Sequence, residues 1–485
     1  MTARSASRIA VAVAGGLVFT GLGRQNLWLD EVMSYEAVRG SWSNLQRFFV
    51  SLPEQHPLYY MLLRAWRVFG SSEFALRSLS AICIVLAIPL IAVLARELAG
   101  EAEGAVAAWL AATSPFLLYY GQEARMYALV VLLAAASGVA LVRWLTAERR
   151  MWLVVYGLVT VAGCYTHFFF TFLVAAQFLA ALVAMGWRRS AVRRLFVAQM
   201  LVAIAYAPWA VLLVTHFPKP QAWKGAANVV FGIPYTFLRF VVGYAVVPAN
   251  FGWKQRGLEL VMADSGVLAP AVLGFGLAGG YGIVRLWRAG GTARLPSILL
   301  LAPMALALMV SAVTIMIGER YFIVCFPFFV AVVAAGLVSL VRDQRSTLGW
   351  LAGAALVVVT GISIWRYYRS TDFGKEQWAD AAALVRSSLS PGDVVAVHEG
   401  YALPSFAYYF KPAIGERLVP GDVMSADWTG ARIWLVIAHA TDEATYLDRF
   451  MVGRRVAVDR RFLHDTGIRV LRLDPEAPDG VTGRR

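Results

Sequence analysis

Residues 119–143 read Tyr119-Tyr120-Gly121-Gln122-Glu123-Ala124-Arg125-Met126-Tyr127 and then ALVVLLAAASGVALVR, closing on Arg143. A polar, aromatic cluster gives way to an apolar run with no charge until its far end. A bilayer-spanning helix needs about 20 mostly apolar residues, and 124–143 supplies them. The polar cluster then marks one membrane face and the arginine the other.

The same pattern recurs along the 485 residues, of which 59% are hydrophobic and 15% charged. Soluble domains carry roughly 25% charged residues, so composition alone places the chain among membrane proteins. Eleven spans are expected: 6–23, 78–96, 105–120, 124–143, 151–167, 168–186, 195–215, 266–286, 297–317, 321–341 and 348–365. The fold class is therefore mainly α, a polytopic transmembrane bundle. The first span, with Arg4 and Arg8 before it, reads as an uncleaved signal-like helix.

The formal charge of +14 does not indicate nucleic acid, because the basic residues sit in short clusters between apolar runs. Arg143, Arg149 and Arg150 form one cluster, and Arg188, Arg189, Arg193 and Arg194 the next. Arg285, Arg288 and Arg294, then Arg342 and Arg345, complete the set. All four fall on one side if the N-terminus is cytoplasmic, as the positive-inside rule asks. The loop at 97–104, with Glu97, Glu101 and Glu103, is the exception. Cys83, Cys164 and Cys325 lie inside apolar runs without metal-type spacing and read as packing residues.

The opposite, non-cytoplasmic side receives residues 24–77, 216–265 and everything after about 366. In the first, Leu58 to Trp66 is amphipathic and suits an interfacial helix. The last changes character. A helix over 376–389, a turn at Ser390-Pro391-Gly392-Asp393 and strands at 394–397, 433–437, 455–459 and 468–473 are expected, with a helix near 442–452. This makes residues 366–485 a small extracytoplasmic α/β domain, set against a transmembrane domain over 1–365. It has neither a dinucleotide fingerprint nor a phosphate loop. Tyr408, Tyr409 and Trp428 are sugar-stacking candidates, with core packing as the alternative.

Five polar clusters converge on the non-cytoplasmic face. Trp28-Leu29-Asp30-Glu31 is the first; adjacent carboxylates at a membrane are costly unless they face a cavity, the alternative being a solvated acidic pair. Gln55-His56-Pro57-Leu58-Tyr59-Tyr60 follows, then the cluster containing Arg125 and Tyr127, then Tyr165-Thr166-His167-Phe168, then Glu319-Arg320-Tyr321. Arginine and histidine at that depth suit a lipid phosphate. For Arg125 the alternative is a salt bridge to Glu123 or Glu31; for Arg320, pairing with Glu319 or snorkelling; for His56 and His167, interfacial packing.

In order and sidedness, W-x-D-E, H-P-L-Y-Y, S-P-F-x-x-Y-Y-x-Q-E-A-R-M-Y, T-H-F and R-Y resemble the GT-C glycosyltransferases. The resemblance is closest to bacterial relatives of the protein O-mannosyltransferases and the lipid A aminoarabinose transferases, and covers residues 20–370. It implies a polyprenyl-phosphate sugar donor and a lipid, protein or glycan acceptor. It also implies inversion at the anomeric carbon and an inner-membrane enzyme acting on the external face. Under it Asp30 is the base and Glu31 its understudy or orienting neighbour. His56, Tyr59, Arg125, Tyr127, His167, Arg320 and Tyr321 are the substrate-binding candidates. The aminoarabinose-transferase relatives place a metal-binding glutamate where Gln55 stands here. Gln55 is a poor ligand, so no tightly bound metal is expected, with a divalent cation as the alternative. The rival readings are a transporter or flippase of a lipid-linked precursor, a non-catalytic scaffold, and a ligase using the same lipids.

Overall fold

The computed structural model describes residues 3–216, 226–247, 262–311, 318–343, 346–369, 374–414, 416–421, 428, 430–438, 443–462 and 467–476. The chain divides into two units. The first comprises Met1–Gly23, Ala37–Val247 and Arg256–Arg369; the second, among the described residues, is drawn from Arg24–Glu36 and Ser370–Arg485.

The first unit is helical. After α1 (Ala3–Phe19) come α2 (Leu29–Arg39), shared between the units, α3 (Trp42–Ser51), α4 (Pro57–Trp66), α5 (Glu73–Ala99), α6 (Glu101–Ala112) and α7 (Pro115–Gly121). There follow α8 (Tyr127–Ala147), α9 (Arg150–Cys164), α10 (Phe169–Met185), α11 (Ser190–Thr215) and α12 (Ala226–Val242). Then come α13 (Ser265–Ala289), α14 (Leu295–Val310), α15 (Phe326–Arg342) and α16 (Ser346–Arg369). Among the described residues, seven helical stretches are long and apolar enough to cross a membrane: Glu73–Ala99, Tyr127–Ala147, Ser190–Thr215, Ser265–Ala289, Gly291–Val310, Tyr321–Arg342 and Ser346–Arg369. Four apolar helices are shorter, at Ser5–Phe19, Arg150–Cys164, Phe169–Met185 and Gly232–Val242.

Two expectations change here. The span expected over 105–120 is two helices, because Ser114 caps a new start by accepting the Leu117 amide and Pro115 occupies its first turn. Proline has no amide to continue the preceding ladder. Within 216–265, expected as an external segment, the described residues include the apolar helix α12. The expected span end at 312–317 lies outside the described residues.

The acidic exception at 97–104 also finds its reason. Glu97 pairs with Arg143 at 2.8 Å and Glu103 with Arg342 at 3.0 Å. These carboxylates meet two of the arginine clusters at the same end of the bundle, so they neutralise basic loops rather than contradict them. Deeper in, polar groups join helices. Tyr156 of α9 donates to Gln177 of α10 (2.8 Å), whose amide donates to Ser137 of α8 (2.9 Å), and Gln199 of α11 donates to Tyr156 (2.8 Å). Such bonds have no water competitor in lipid.

The second unit is built on a five-stranded sheet of β1 (Val394–His398), β2 (Arg417–Pro420), β3 (Ile433–Ala438), β4 (Arg454–Phe462) and β5 (Ile468–Pro475), in the order β2-β1-β3-β5-β4. The strands β2, β1 and β3 run parallel, with Val394 opposite both Arg417 and Ile433, while β5 and β4 are antiparallel. Alternation along β1 and β3 sends Val395, Val397, Trp434 and Val436 to one face, against α17 (Trp378–Ser388) and α18 (Leu403–Phe410). Val394, Ala396, Ile433 and Leu435 go to the other face, against α19 (Glu443–Met451) and Trp428. Trp428 is thus core. β2 and α18 were not expected, being four and eight residues long, too short for a periodic signal.

Candidate active site

In the first unit the polar clusters gather around the N-terminus of α4. Pro57 starts that helix and His56 precedes it in extended conformation. The Leu58 amide donates to the Tyr165 carbonyl at 3.0 Å, tying α4 to the turn after α9. His56 is fully buried. Its Nδ1 lies 3.0 Å from the Glu54 carbonyl and its Nε2 2.9 Å from the Tyr206 hydroxyl. A carbonyl only accepts, so Nδ1 carries the proton and Nε2 accepts from Tyr206. Burial, opposed in part by the Glu54 bond, lowers the His56 pKa to about 4.

Arg125 sits beside it, 5% exposed. Its guanidinium donates to the Tyr60 hydroxyl at 2.9 Å and to Gln55 Oε1 at 3.2 Å, and Tyr60 donates to the same oxygen at 2.5 Å. Ser80 donates to the Arg125 carbonyl and pairs with Tyr59 OH, both at 3.2 Å. His167 lies with its ring centroid 6.5 Å from that of His56, 6.0 Å from Tyr127 and 5.7 Å from Tyr321. Its Nδ1 accepts the Phe169 amide at 3.1 Å, so Nε2 bears the hydrogen. Burial foremost, with His56 and the Arg125 charge, lowers its pKa to about 3. His56, Tyr59, Arg125, Tyr127, His167 and Tyr321 are therefore one connected group. Both histidines are neutral at ordinary pH, leaving Arg125 as its cation.

Gln55 Oε1 receives two donors, one of them a guanidinium. That is an environment for a cation already covalently present, and it does not fit a divalent metal at this position. Among the described residues, no cluster of three or more His, Cys, Asp or Glu has metal-binding geometry.

A second polar group joins Glu319 and Tyr120, both in clusters named from the sequence, to Arg239, Tyr235 and Tyr244, which sequence reasoning missed. Arg239, fully buried on α12, donates to Glu319 at 2.9 Å and to Tyr235 at 3.0 Å, and lies 3.7 Å from the Tyr244 ring centroid. Tyr244 pairs with Tyr120 OH at 2.5 Å. Glu319 Oε1, which Arg239 engages, also accepts from the Tyr244 hydroxyl at 3.4 Å. Burial holds the Tyr244 phenol above its ordinary range, against the pull of the Arg239 and Arg320 charges. The missed signal was an arginine within the apolar run around Phe237–Val242, rare without a function in membranes.

Asp30 and Glu31 belong to the second unit, in the first turn of α2. Glu31 is buried, accepts the Trp28 amide at 3.3 Å and pairs with Lys375 at 3.0 Å. Of the tail aromatics, Tyr409 accepts the Leu27 amide at 2.6 Å and Tyr408 meets Tyr35 edge-on at 5.2 Å. These tyrosines hold the acidic segment.

Comparison with known structures gives the architecture a name. ArnT from Cupriavidus metallidurans bound to undecaprenyl phosphate superposes with a TM-score of 0.59 and 14% identity, over 98% of this chain and 99% of that one. The same protein in its apo state gives 0.59 at 13% identity, over 96% and 97%. The oligosaccharyltransferase AglB from Archaeoglobus fulgidus, in complex with an inhibitory peptide and a dolichol-phosphate, gives 0.57 at 14% identity, over 90% and 69%.

The chain has the GT-C fold.

Residues 55–238 of this GT-C chain match the dolichyl-phosphate-mannose-protein mannosyltransferase family model. The matched segment runs from Gln55 to one residue short of Arg239, so it holds every member of the group around Arg125 except Tyr321. No curated protein matches the sequence. The membrane character read from composition stands: this is an integral membrane protein.

Proposed function

We propose that this GT-C protein is an inverting glycosyltransferase moving a hexosyl or pentosyl group from a polyprenyl-phosphate donor to an acceptor on the non-cytoplasmic face. The carrying observation is that the mannosyltransferase family match over 55–238 contains the buried Arg125 and its partners Gln55 and Tyr60. The relatives that share the fold and hold undecaprenyl phosphate or dolichol-phosphate support the donor class.

In this reading Asp30 takes the proton of the acceptor hydroxyl as its oxygen attacks C1 of the sugar. The bond from C1 to the phosphate oxygen breaks, and the polyprenyl phosphate leaves with the electron pair. A phosphate is a good leaving group, so cations that hold it replace a general acid. Arg125 and Arg320 take that role. His56, with both ring nitrogens bonded inside the protein, positions the cluster, while His167 offers the Nε2 hydrogen as a donor to the substrate. Tyr59, Tyr127 and Tyr321 line the group. Single-site roles of these kinds are separable by kinetics.

The test uses proteoliposomes with undecaprenyl-phosphate-linked mannose, glucose and arabinose, offered lipid, peptide and glycan acceptors. Wild-type transfer is expected, falling by about 10³-fold or more in a folded Asp30→Asn variant. Transfer that survives the substitution moves the base elsewhere, first to Glu31. Absence of transfer from all three donors removes the glycosyltransferase reading in favour of a transporter or scaffold.

A further inference from the structure

The second unit contains more than the soluble domain, because the acidic start of α2 is folded into it. The stretch after α16 supplies the seat. Lys375 Nζ lies 3.0 Å from Glu31 Oε2, with the two side chains 5% and 0% exposed. One residue on, Glu376 Oε2 accepts the Leu29 amide at 3.1 Å and also the indole of Trp378, which lies in the core between α17 and the sheet. A carboxylate in the first turn of a helix is ordinarily a solvated cap. Here Glu31 is buried against an ammonium, and the desolvation of both charges is offset only if their geometry is held.

Consecutive residues of an α-helix project about 100° apart. A clamp on Glu31 therefore also sets the direction in which Asp30 leaves the helix. We propose that Lys375 is a positioning residue for the transfer reaction: it fastens Glu31 so that the soluble unit, through the start of α2, fixes the orientation of Asp30. This rests on the reading of Asp30 as the base. It assigns Glu31 to anchoring rather than to proton transfer, and it gives the C-terminal domain a share in catalysis.

The test takes the full-length protein with Lys375→Met, Lys375→Arg, Glu31→Gln and the double variant Glu31→Gln/Lys375→Met. Transfer is measured from the same three undecaprenyl-phosphate sugars, and amide hydrogen exchange is followed over residues 27–36. In Lys375→Met, kcat should fall on the order of a hundredfold with donor KM within about twofold. Exchange of that segment should quicken roughly tenfold or more. Lys375→Arg should recover most of both. The double variant should be no worse in kcat than Lys375→Met alone, since both substitutions break one pair. Wild-type kcat and unchanged exchange in Lys375→Met would overturn the proposal, as would losses that simply add in the double variant. A wild type that transfers none of the sugars sinks the functional reading and the catalytic half of this one; exchange then decides the tether by itself.

Discussion

His56 shows how one residue changes meaning between sequence and structure. In the chain it is a polar residue at a membrane face and so a phosphate ligand candidate. In the fold both nitrogens are occupied, and burial lowers its pKa to about 4. A histidine that folds neutral must release its proton preference on folding, so the unfolded chain binds more protons than the native one below pH 6.5. Stability is then fully present above that pH and drains away as pH falls toward about 4. The total loss is on the order of 3 kcal/mol. The thermal midpoint of the wild type in detergent should drop across this window, and His56→Asn should flatten much of the slope. An identical slope in the variant would show that His56 does not carry it. The Lys375 pair illustrates the opposite blindness. Gly374-Lys375-Glu376 looks like any charged stretch leaving a span, and only long-range folding brings it to Glu31. No local pattern encodes a contact 344 residues apart.

Among the elements, α13 and α15 approach until backbones touch. A Cβ on Gly336 would stand 1.7 Å from the Ala278 carbonyl oxygen, and one on Gly282 would stand 2.1 Å from that of Val332. Carbonyls cannot swing aside like side chains, so close glycine packing here is obligatory. Gly336→Ala should lower the thermal midpoint sharply, by the equivalent of roughly 3 kcal/mol or more, or abolish expression. Gly280→Ala, on the same helix α13 but facing open space, should be neutral or gain up to about 1 kcal/mol. Equal behaviour of the two variants would refute the packing argument. Spans such as α5, α8 and α11 were legible because length and hydropathy suffice to define them. The broken span at Ser114-Pro115 was hidden because averaging over a window conceals a cap and a proline within it. The helix α12 was hidden because Arg239 and Pro234 dilute its apolar run, and its partner Glu319 lies 80 residues away.

At the scale of the whole molecule, the sidedness read from arginine clusters can be tested almost without background. Cys83, Cys164 and Cys325 are all free and buried. An introduced cysteine at Ser387, exposed on α17, should react with an impermeant maleimide on intact cells. One at Ala147, exposed at the basic end of α8, should react only after permeabilisation. The reverse pattern would invert the topology and move the acidic pair to the cytoplasm. The motif order and the α/β character of the tail could be read from residues alone. The union of the acidic segment with that tail could not, since 24–36 and 370–485 are distant in sequence and neither is patterned for the other.

That union has a consequence for engineering. A tail joined only through α16 could be exchanged among GT-C proteins as a cassette, like a lectin module fused to a hydrolase. Here the cassette is discontinuous. A chimera that replaces residues 370–485 but keeps the native 24–36 leaves Glu31, Leu27 and Leu29 facing foreign side chains, so grafting must transplant both pieces together.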